Sequence, residues 1–260
     1  MFEETSIVRI KLKEGAEKKK DRVAREVPFS IKINGAEKIT ILASPGRLKE
    51  LAAGYLYAEA WIGHRSEIEE LRVNEKAFYA TVHLKNKIDP KKIEKERVIT
   101  SGCGRNISFY NFEDFENCLP LQSDLTVTAG AILKLMQEFQ QKSEVFKETG
   151  GVHSAALCQK DKIVQFAEDI GRHNAVDKIV GGLVLEGGGA QDKYLLLSGR
   201  ISSEMLLKAS RVGFPIIVSR AAPTDMAVRL AKRLKITLVG FARGSRMNIY
   251  SEERRILCQK

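Results

Sequence analysis

The stretch YLLLSGRISSEMLLKASRVGFPIIVSRAAPTDMAVRLAKRLKITLVGFARGSR, residues 194–246, decides the fold. Three apolar runs, Tyr194–Leu197, Pro215–Val218 and Ile236–Val239, alternate with two helical segments over 202–212 and 224–235. A continuous apolar run reads as a strand covered on both faces, and its alternation with helices of this length predicts βαβαβ with a buried parallel sheet. Each run ends in similar chemistry: Ser198-Gly199-Arg200, Ser219-Arg220, and Gly240-Phe241-Ala242-Arg243-Gly244-Ser245-Arg246. Carboxyl ends of parallel strands share one edge, where such folds bind ligands, so these arginines are expected on one rim. Beside helix N-termini such a rim suits phosphate or pyrophosphate. The competing reading pairs each arginine with a carboxylate such as Glu204, Asp225 or Asp169.

Upstream of this core, Thr126 or Thr128 caps a helix whose stripe is Ile132, Leu135, Met136 and Phe139. Short strands follow at 154–159 and 162–167, then a helix near 174–185. Gly187-Gly188-Gly189 lacks the Lys-Ser/Thr ending of a phosphate loop and reads as a linker. Before Pro120 the pattern differs. Phe29, Ile31 and Ile33, then Ile39 and Ile41 after Asn34-Gly35, alternate as a hairpin. Ser44-Pro45 is expected to open a helix with Leu48, Leu51, Ala52, Tyr55 and Leu56 on its apolar face. Strands over 68–73 and 77–84 complete a small α+β domain, 1–119, ahead of an α/β domain, 120–260.

The chain has 260 residues, 43% hydrophobic, enough for one large domain or two modest ones. It shows no run of membrane-span length and no basic-then-apolar leader, so a soluble cytoplasmic protein is expected. Four cysteines at 103, 118, 158 and 258 form no C-x-x-C pair, which argues against disulfides and a zinc site. A net charge of +10 asks for an anionic partner: nucleic acid, a nucleotide-like ligand or an acidic protein. Aromatic residues do not interleave with the basic ones, which disfavours nucleic acid. Lys18-Lys19-Lys20 is expected in a mobile amino-terminal arm, and Lys85 to Arg97 in a solvated linker.

Three clusters carry candidate chemistry. Cys103 lies in Ser101-Gly102-Cys103-Gly104-Arg105, where flanking glycines leave the sulfur open to approach and Arg105 favours the thiolate. Gly150-Gly151-Val152-His153 joins a helix to a strand; a lone histidine there reads either as core or as site. Glu168-Asp169-Ile170-Gly171-Arg172-His173-Asn174 is more polar than a capping turn requires. His64 and His83 have no polar company and read as structural.

Together these stretches resemble the FdhD-type formate dehydrogenase accessory sulfurtransferases over nearly the whole chain. The resemblance rests on Glu26-Val27-Pro28-Phe29, Ile33-Asn34-Gly35, Glu50–Leu56, Ser101–Gly104, Thr149–Ala155, Glu168–Lys178, Leu197–Arg200 and Phe241–Arg246. It implies a cytidine-deaminase-like three-layer carboxy-terminal domain with a smaller α+β amino-terminal one. It also implies an activity: sulfane sulfur is taken from a cysteine desulfurase as a Cys103 persulfide and passed to a molybdenum (or tungsten) bis(molybdopterin guanine dinucleotide) cofactor. Formate dehydrogenase is then the client. On the same basis Phe241, Ala242, Arg243, Gly244, Ser245 and Arg246 match the cofactor-binding segment, joined by Arg200 and Arg220 of the rim. Arg105, His153, Asp169, Arg172 and His173 are supporting candidates. No metal site, nucleic acid or membrane partner is implied, and a homodimer is left open.

One departure stands out. Many relatives carry C-G-x-C in the loop, whereas Cys103-Gly104-Arg105-Asn106 keeps the first cysteine alone. One thiolate suffices to accept sulfur and pass on the outer atom. A zinc deaminase is rejected, because H-x-E and P-C-x-x-C are both missing. The remaining alternative is a chaperone that binds the cofactor without chemistry.

Overall fold

The computed structural model describes residues 1–35, 37–86, 98–99, 107–108 and 119–258. Its centre is a six-stranded sheet in the order β11-β10-β12-β13-β14-β15, formed by β10 (His153–Gln159), β11 (Lys162–Asp169), β12 (Lys193–Leu197), β13 (Ile216–Ser219), β14 (Thr237–Arg243) and β15 (Arg246–Ser251). The expected parallel core is present: Leu195, Leu196 and Leu197 pair with Ile217, Val218 and Ser219, and β13 pairs in parallel with β14. β10 and β15 are antiparallel to their neighbours.

The run at 194–197 is apolar throughout because both its faces are covered. Leu195 and Leu197 join one hydrophobic cluster with three helices, α4 (Arg172–Leu185), α5 (Ser203–Val212) and α6 (Asp225–Arg233). Tyr194 and Leu196 point the other way, to Ile132, Leu135, Met136 and Phe139 of α2 (Ala129–Lys142). The result is helix, sheet, helix in three layers. Thr128, Ser202 and Thr224 cap α2, α5 and α6 by accepting the backbone N–H of Ala131, Met205 and Ala227. A short α3 (Glu144–Thr149) links α2 to β10.

Residues 27–84 form a second, four-stranded sheet, β4-β3-β6-β5, of β3 (Val27–Ile33), β4 (Glu37–Ala43), β5 (Ile68–Asn74) and β6 (Tyr79–Leu84), with helix α1 (Leu48–Ala58). One cluster of buried apolar side chains runs through this sheet, α1, α4 and the six-stranded sheet. α1 crosses α4 at backbone distance. A Cβ on Gly54 would lie 1.8 Å from the Asp177 carbonyl oxygen, and one on Gly181 would lie 1.8 Å from that of Glu50. Hydrogen alone fits at either position.

The structure corrects two sequence expectations here. Ser44 does not cap α1, whose N-cap is Arg47. Ser44 is fully buried, donates its N–H to Asp169 Oδ2 and accepts the Ile170 N–H on Oγ, so its hydroxyl serves a contact between the two halves. Lys18-Lys19-Lys20 lies in a regular hairpin, not a loose arm: β1 (Phe2–Lys11) and β2 (Gly15–Ala24) pair over ten positions. Further pairs join β7 (Val98–Ile99) to β8 (Ile107–Ser108), and β9 (Val127–Thr128) to β16 (Ile256–Leu257). No helix is long and apolar enough to cross a membrane among the described residues.

Candidate functional site

β11, β12, β13 and β14 run in one direction, so their carboxyl ends and the starts of α4, α5 and α6 share one edge of the sheet. A cavity of about 480 Å³ opens at this edge. Its polar lining comes from His153 and Ser154 at the start of β10, Ser198 after β12, Arg220 after β13, and Ser143 and Lys147 of the α2–α3 region. Phe139 and Phe146 supply an apolar wall.

Backbone pairing brings His153 and Ser198 together. Ser198 Oγ accepts the Ser154 N–H at 2.8 Å and stands 3.5 Å from His153 Nδ1. Gly199 makes room beside them, since a Cβ there would lie 3.1 Å from His153 Nδ1 and 3.3 Å from Arg172 Cβ. Burial and then the Arg172 guanidinium lower the His153 pKa, against an opposing pull from Asp169. The imidazole is therefore neutral near pH 7, a hydrogen-bonding group and not a fixed charge. Fixed positive charge at the cavity is left to Arg220 and Lys147.

The carboxylates that could have neutralised the arginine row are engaged elsewhere. Asp169 meets Lys178 at 2.7 Å and Asp225 meets Arg229 at 3.2 Å, while Glu204 lies 3.4 Å from the imidazole of His173, which burial keeps neutral. Arg200, Arg220, Arg243 and Arg246 are exposed and form no ion pair among the described residues. Arg243 and Arg246 are direct cross-strand partners around the Gly244-Ser245 turn, a like-charge pairing that disfavours the sheet on its own. The Arg243 guanidinium also stands over the Phe241 ring, 5.7 Å from its centroid. Phe241 itself holds a left-handed backbone, φ 53°, and donates its N–H to the Ala221 carbonyl, which ties this turn to the end of β13.

The expected site residues thus separate. Arg220 and His153 line the cavity, and Arg172 adjoins it through Gly199. Arg200 and the exposed part of Phe241–Arg246 lie on the same sheet edge outside the cavity lining, while Ala242 is buried in the core. Asp169 does not line the cavity. It is fully buried and saturated by Lys178, the Ser44 and Gly171 amides and the Asn174 side chain. His173 is buried near Glu204, its pKa lowered to about 3 by burial first and then by Lys208 and Arg172. Cys103, Arg105 and Cys118 lie outside the described residues; β7 and β8 pair on either side of the Cys103 stretch. Cys158 is no substitute nucleophile, because burial pushes its thiol up to about 12. Sequence reasoning missed Ser143, Lys147 and Phe146, which carry no motif, and assigned Phe139 to the core alone.

The fold and edge define an α/β protein that presents a cationic, partly apolar cavity at the carboxyl ends of its strands. Residues 24–257 match the model of the FdhD/NarQ family, and the chain belongs to that family. It is 40% identical over 240 residues to a Bacillus licheniformis protein named sulfur carrier protein FdhD, covering 91% of this chain and 90% of that one. A Bacillus subtilis protein of the same name is 39% identical over 243 residues, covering 92% of each. A crystal structure of a candidate formate dehydrogenase accessory protein from Desulfotalea psychrophila superposes with a TM-score of 0.82 at 28% identity, over 98% of this chain and 99% of that one.

Proposed function

We propose that this chain is a sulfur carrier in formate dehydrogenase maturation. Its Cys103 thiolate attacks the outer sulfur of a cysteine desulfurase persulfide, the desulfurase thiolate leaves, and Cys103 holds the new persulfide. The outer sulfur is then delivered to a molybdenum or tungsten bis(molybdopterin guanine dinucleotide) acceptor. Release of that sulfur as sulfide consumes two electrons, which a thiol reductant supplies.

The observation that carries the acceptor class is the set of strand-end arginines without carboxylate partners among the described residues, two of them directly opposed. Guanidinium groups of this kind suit pyrophosphate oxygens, and a bis-dinucleotide presents two such groups. In this reading Arg220 and Lys147 supply charge at the cavity, neutral His153 and Ser198 supply hydrogen bonds, and Phe139 and Phe146 offer apolar surface to a ring system. We read the three layers as cytidine-deaminase-like and residues 120–260 as the domain that holds the acceptor, with 1–119 delivering the Cys103 loop to it.

Intact-protein mass spectrometry after incubation with a cysteine desulfurase and L-cysteine tests the chemistry. A reducible gain of about 32 Da, one sulfur, is expected in wild type and absent in Cys103→Ala. No gain in either protein, with guanine-nucleotide binding intact, would leave a cofactor chaperone instead.

A further inference from the structure

The hairpin formed by β1 and β2 is a two-stranded sheet by itself, about 30 Å long, with no third strand among the described residues. Its root is fastened to the body. Arg22 meets Glu148 of α3 at 2.6 Å and stands over the Phe2 ring, and Ala24 lies beside Gly151 at the cavity. Towards the turn no hydrogen bond or ion pair joins the arm to the body among the described residues. Val8, Ile10 and Leu12 are 59%, 74% and 101% exposed. Apolar side chains grouped in water at one end of an element mark a contact surface.

Positive charge gathers at the same end. From Val8 to Lys20 the chain carries Arg9, Lys11, Lys13, Lys18, Lys19 and Lys20 against Glu14 and Glu17. Arg9 faces Asp21, Lys11 meets Glu14 and Lys20 meets Glu4, which leaves Lys13, Lys18 and Lys19 with no ion pair among the described residues. The strand register divides these groups between two faces. Val8 and Ile10 share one face with Lys18 and Lys20, while Arg9, Lys11 and Lys19 point to the other. Leu12 and Lys13 lie in the turn itself.

A rigid acidic protein surface would meet one of these faces and leave the cations of the other in water. A layer of anionic headgroups instead surrounds a tip that enters it end-on. Lysines on both faces and at the turn then reach phosphate, while Leu12 and Ile10 pass into the apolar boundary. Lysine stems suit that boundary, because their methylenes lie along apolar surface while the ammonium stays in the polar layer. Entry is limited to the tip, since open strand edges deeper in lipid would lose their water partners.

We infer that the β1–β2 hairpin is a docking arm for an anionic lipid surface, seated through its Ile10–Lys13 tip. The arm goes beyond the sulfur chemistry and does not depend on it, and none of the tip residues lines the candidate site. Arg22 and Glu148 join its root to α3, whose Phe146 and Lys147 do line that site.

Co-sedimentation of the full-length protein with phosphatidylcholine vesicles, with and without a third of phosphatidylglycerol, tests it, and far-UV circular dichroism checks the folding of each variant. Wild type is expected to bind the anionic vesicles alone and to be released by high salt. Ile10→Ser/Leu12→Ser and Lys13→Glu/Lys18→Glu/Lys19→Glu should each weaken binding about tenfold or more. Lys49→Glu/Lys76→Glu/Lys232→Glu makes the same change in net charge at exposed positions outside the arm, and its binding should stay within about threefold of wild type. A wild type that binds no vesicle, as an acidic protein partner would predict, overturns the assignment. So does undiminished binding by the Ile10/Leu12 variant, or an equal loss in both triple lysine variants.

Discussion

Two polar regions of this molecule follow opposite rules. Between α1, α4 and α5, Lys208 meets Asp177 at 2.8 Å and Glu59 at 3.5 Å, and all three side chains are buried. At the carboxyl edge of the six-stranded sheet, four arginines stand exposed with no carboxylate partner among the described residues. In the first region charge is matched inside the protein. Burial works to lower the Lys208 pKa, yet Asp177 and Glu59 overcome it and hold the amine protonated. In the second region no counter-charge is supplied among the described residues, which leaves it open to the anionic ligand proposed above. A structural ionic cluster and a ligand site are thus told apart by where the counter-charge resides, not by residue type.

That contrast is most easily broken at Lys208. Lys208→Met should cost about 3–5 kcal/mol, because it leaves Asp177 and Glu59 buried without their cation. Chemical denaturation measures the loss, and the folded fraction should bind GDP as wild type does. A change of less than about 1 kcal/mol would show that water reaches the cluster. Gly181→Ala tests the frame around the same cluster. A methyl 1.8 Å from the Glu50 carbonyl forces α1 and α4 apart, and the expected loss is about 1–3 kcal/mol or more.

The arginine edge should behave inversely. Arg220→Ala is expected to weaken GDP binding about tenfold or more, the worth of one charge-assisted contact, with the melting temperature nearly unchanged. Isothermal titration beside a thermal melt reads both. A fall in stability without a loss of affinity would make Arg220 structural.

Acid sharpens the comparison, since His173 lies beside the buried cluster. Its pKa is lowered to about 3 from an ordinary 6.5. Below pH 6.5 the unfolded chain binds this proton and the folded chain does not, so His173 removes stability as pH falls, by about 1.4 kcal/mol per unit. Asp177, raised to about 6 by burial, works in the opposite direction once pH drops below that value. Overall acid stability therefore mixes the two, and the difference between His173→Gln and wild type isolates the imidazole. The variant should gain on wild type steadily from pH 6.5 to 4. A flat difference would mean that Glu204, 3.4 Å from Nε2, already holds a charged imidazole.

Much of this division was legible in the sequence and part was not. The runs at 194–197, 215–218 and 236–239 announced a parallel sheet because strands covered on both faces cannot alternate, and their endings placed Arg200, Arg220 and Arg243 on one edge. The glycines and serines around them allow close approach of a ligand, which is the basis of the site proposed there. Asp169 and His173 read as supporting candidates in the sequence because a polar run after an apolar strand looks the same whether its side chains face a ligand or each other. The distinction depends on Ser44 and Lys178, which the fold brings to Asp169 from 125 residues upstream and from the next turns of α4. Ser143, Phe146 and Lys147 gave no signal, since a cavity wall built from a helix end has no spacing of its own.

The smallest effect separates the two rules most cleanly. Arg243 and Arg246 face each other across the β14–β15 turn, so the folded chain carries a repulsion that a structural role would have removed. Arg246→Glu converts it into an exposed cross-strand ion pair and should stabilise the chain by a few tenths of a kcal/mol, about the worth of such a pair. The same change places a carboxylate where pyrophosphate oxygens would sit, so GDP affinity should fall as stability rises. Opposite signs in one variant are the mark of residues kept for a ligand at the expense of the fold. If Arg246→Glu lowered stability, the pair would owe its place to the turn, and the anion site would contract to the cavity at Arg220.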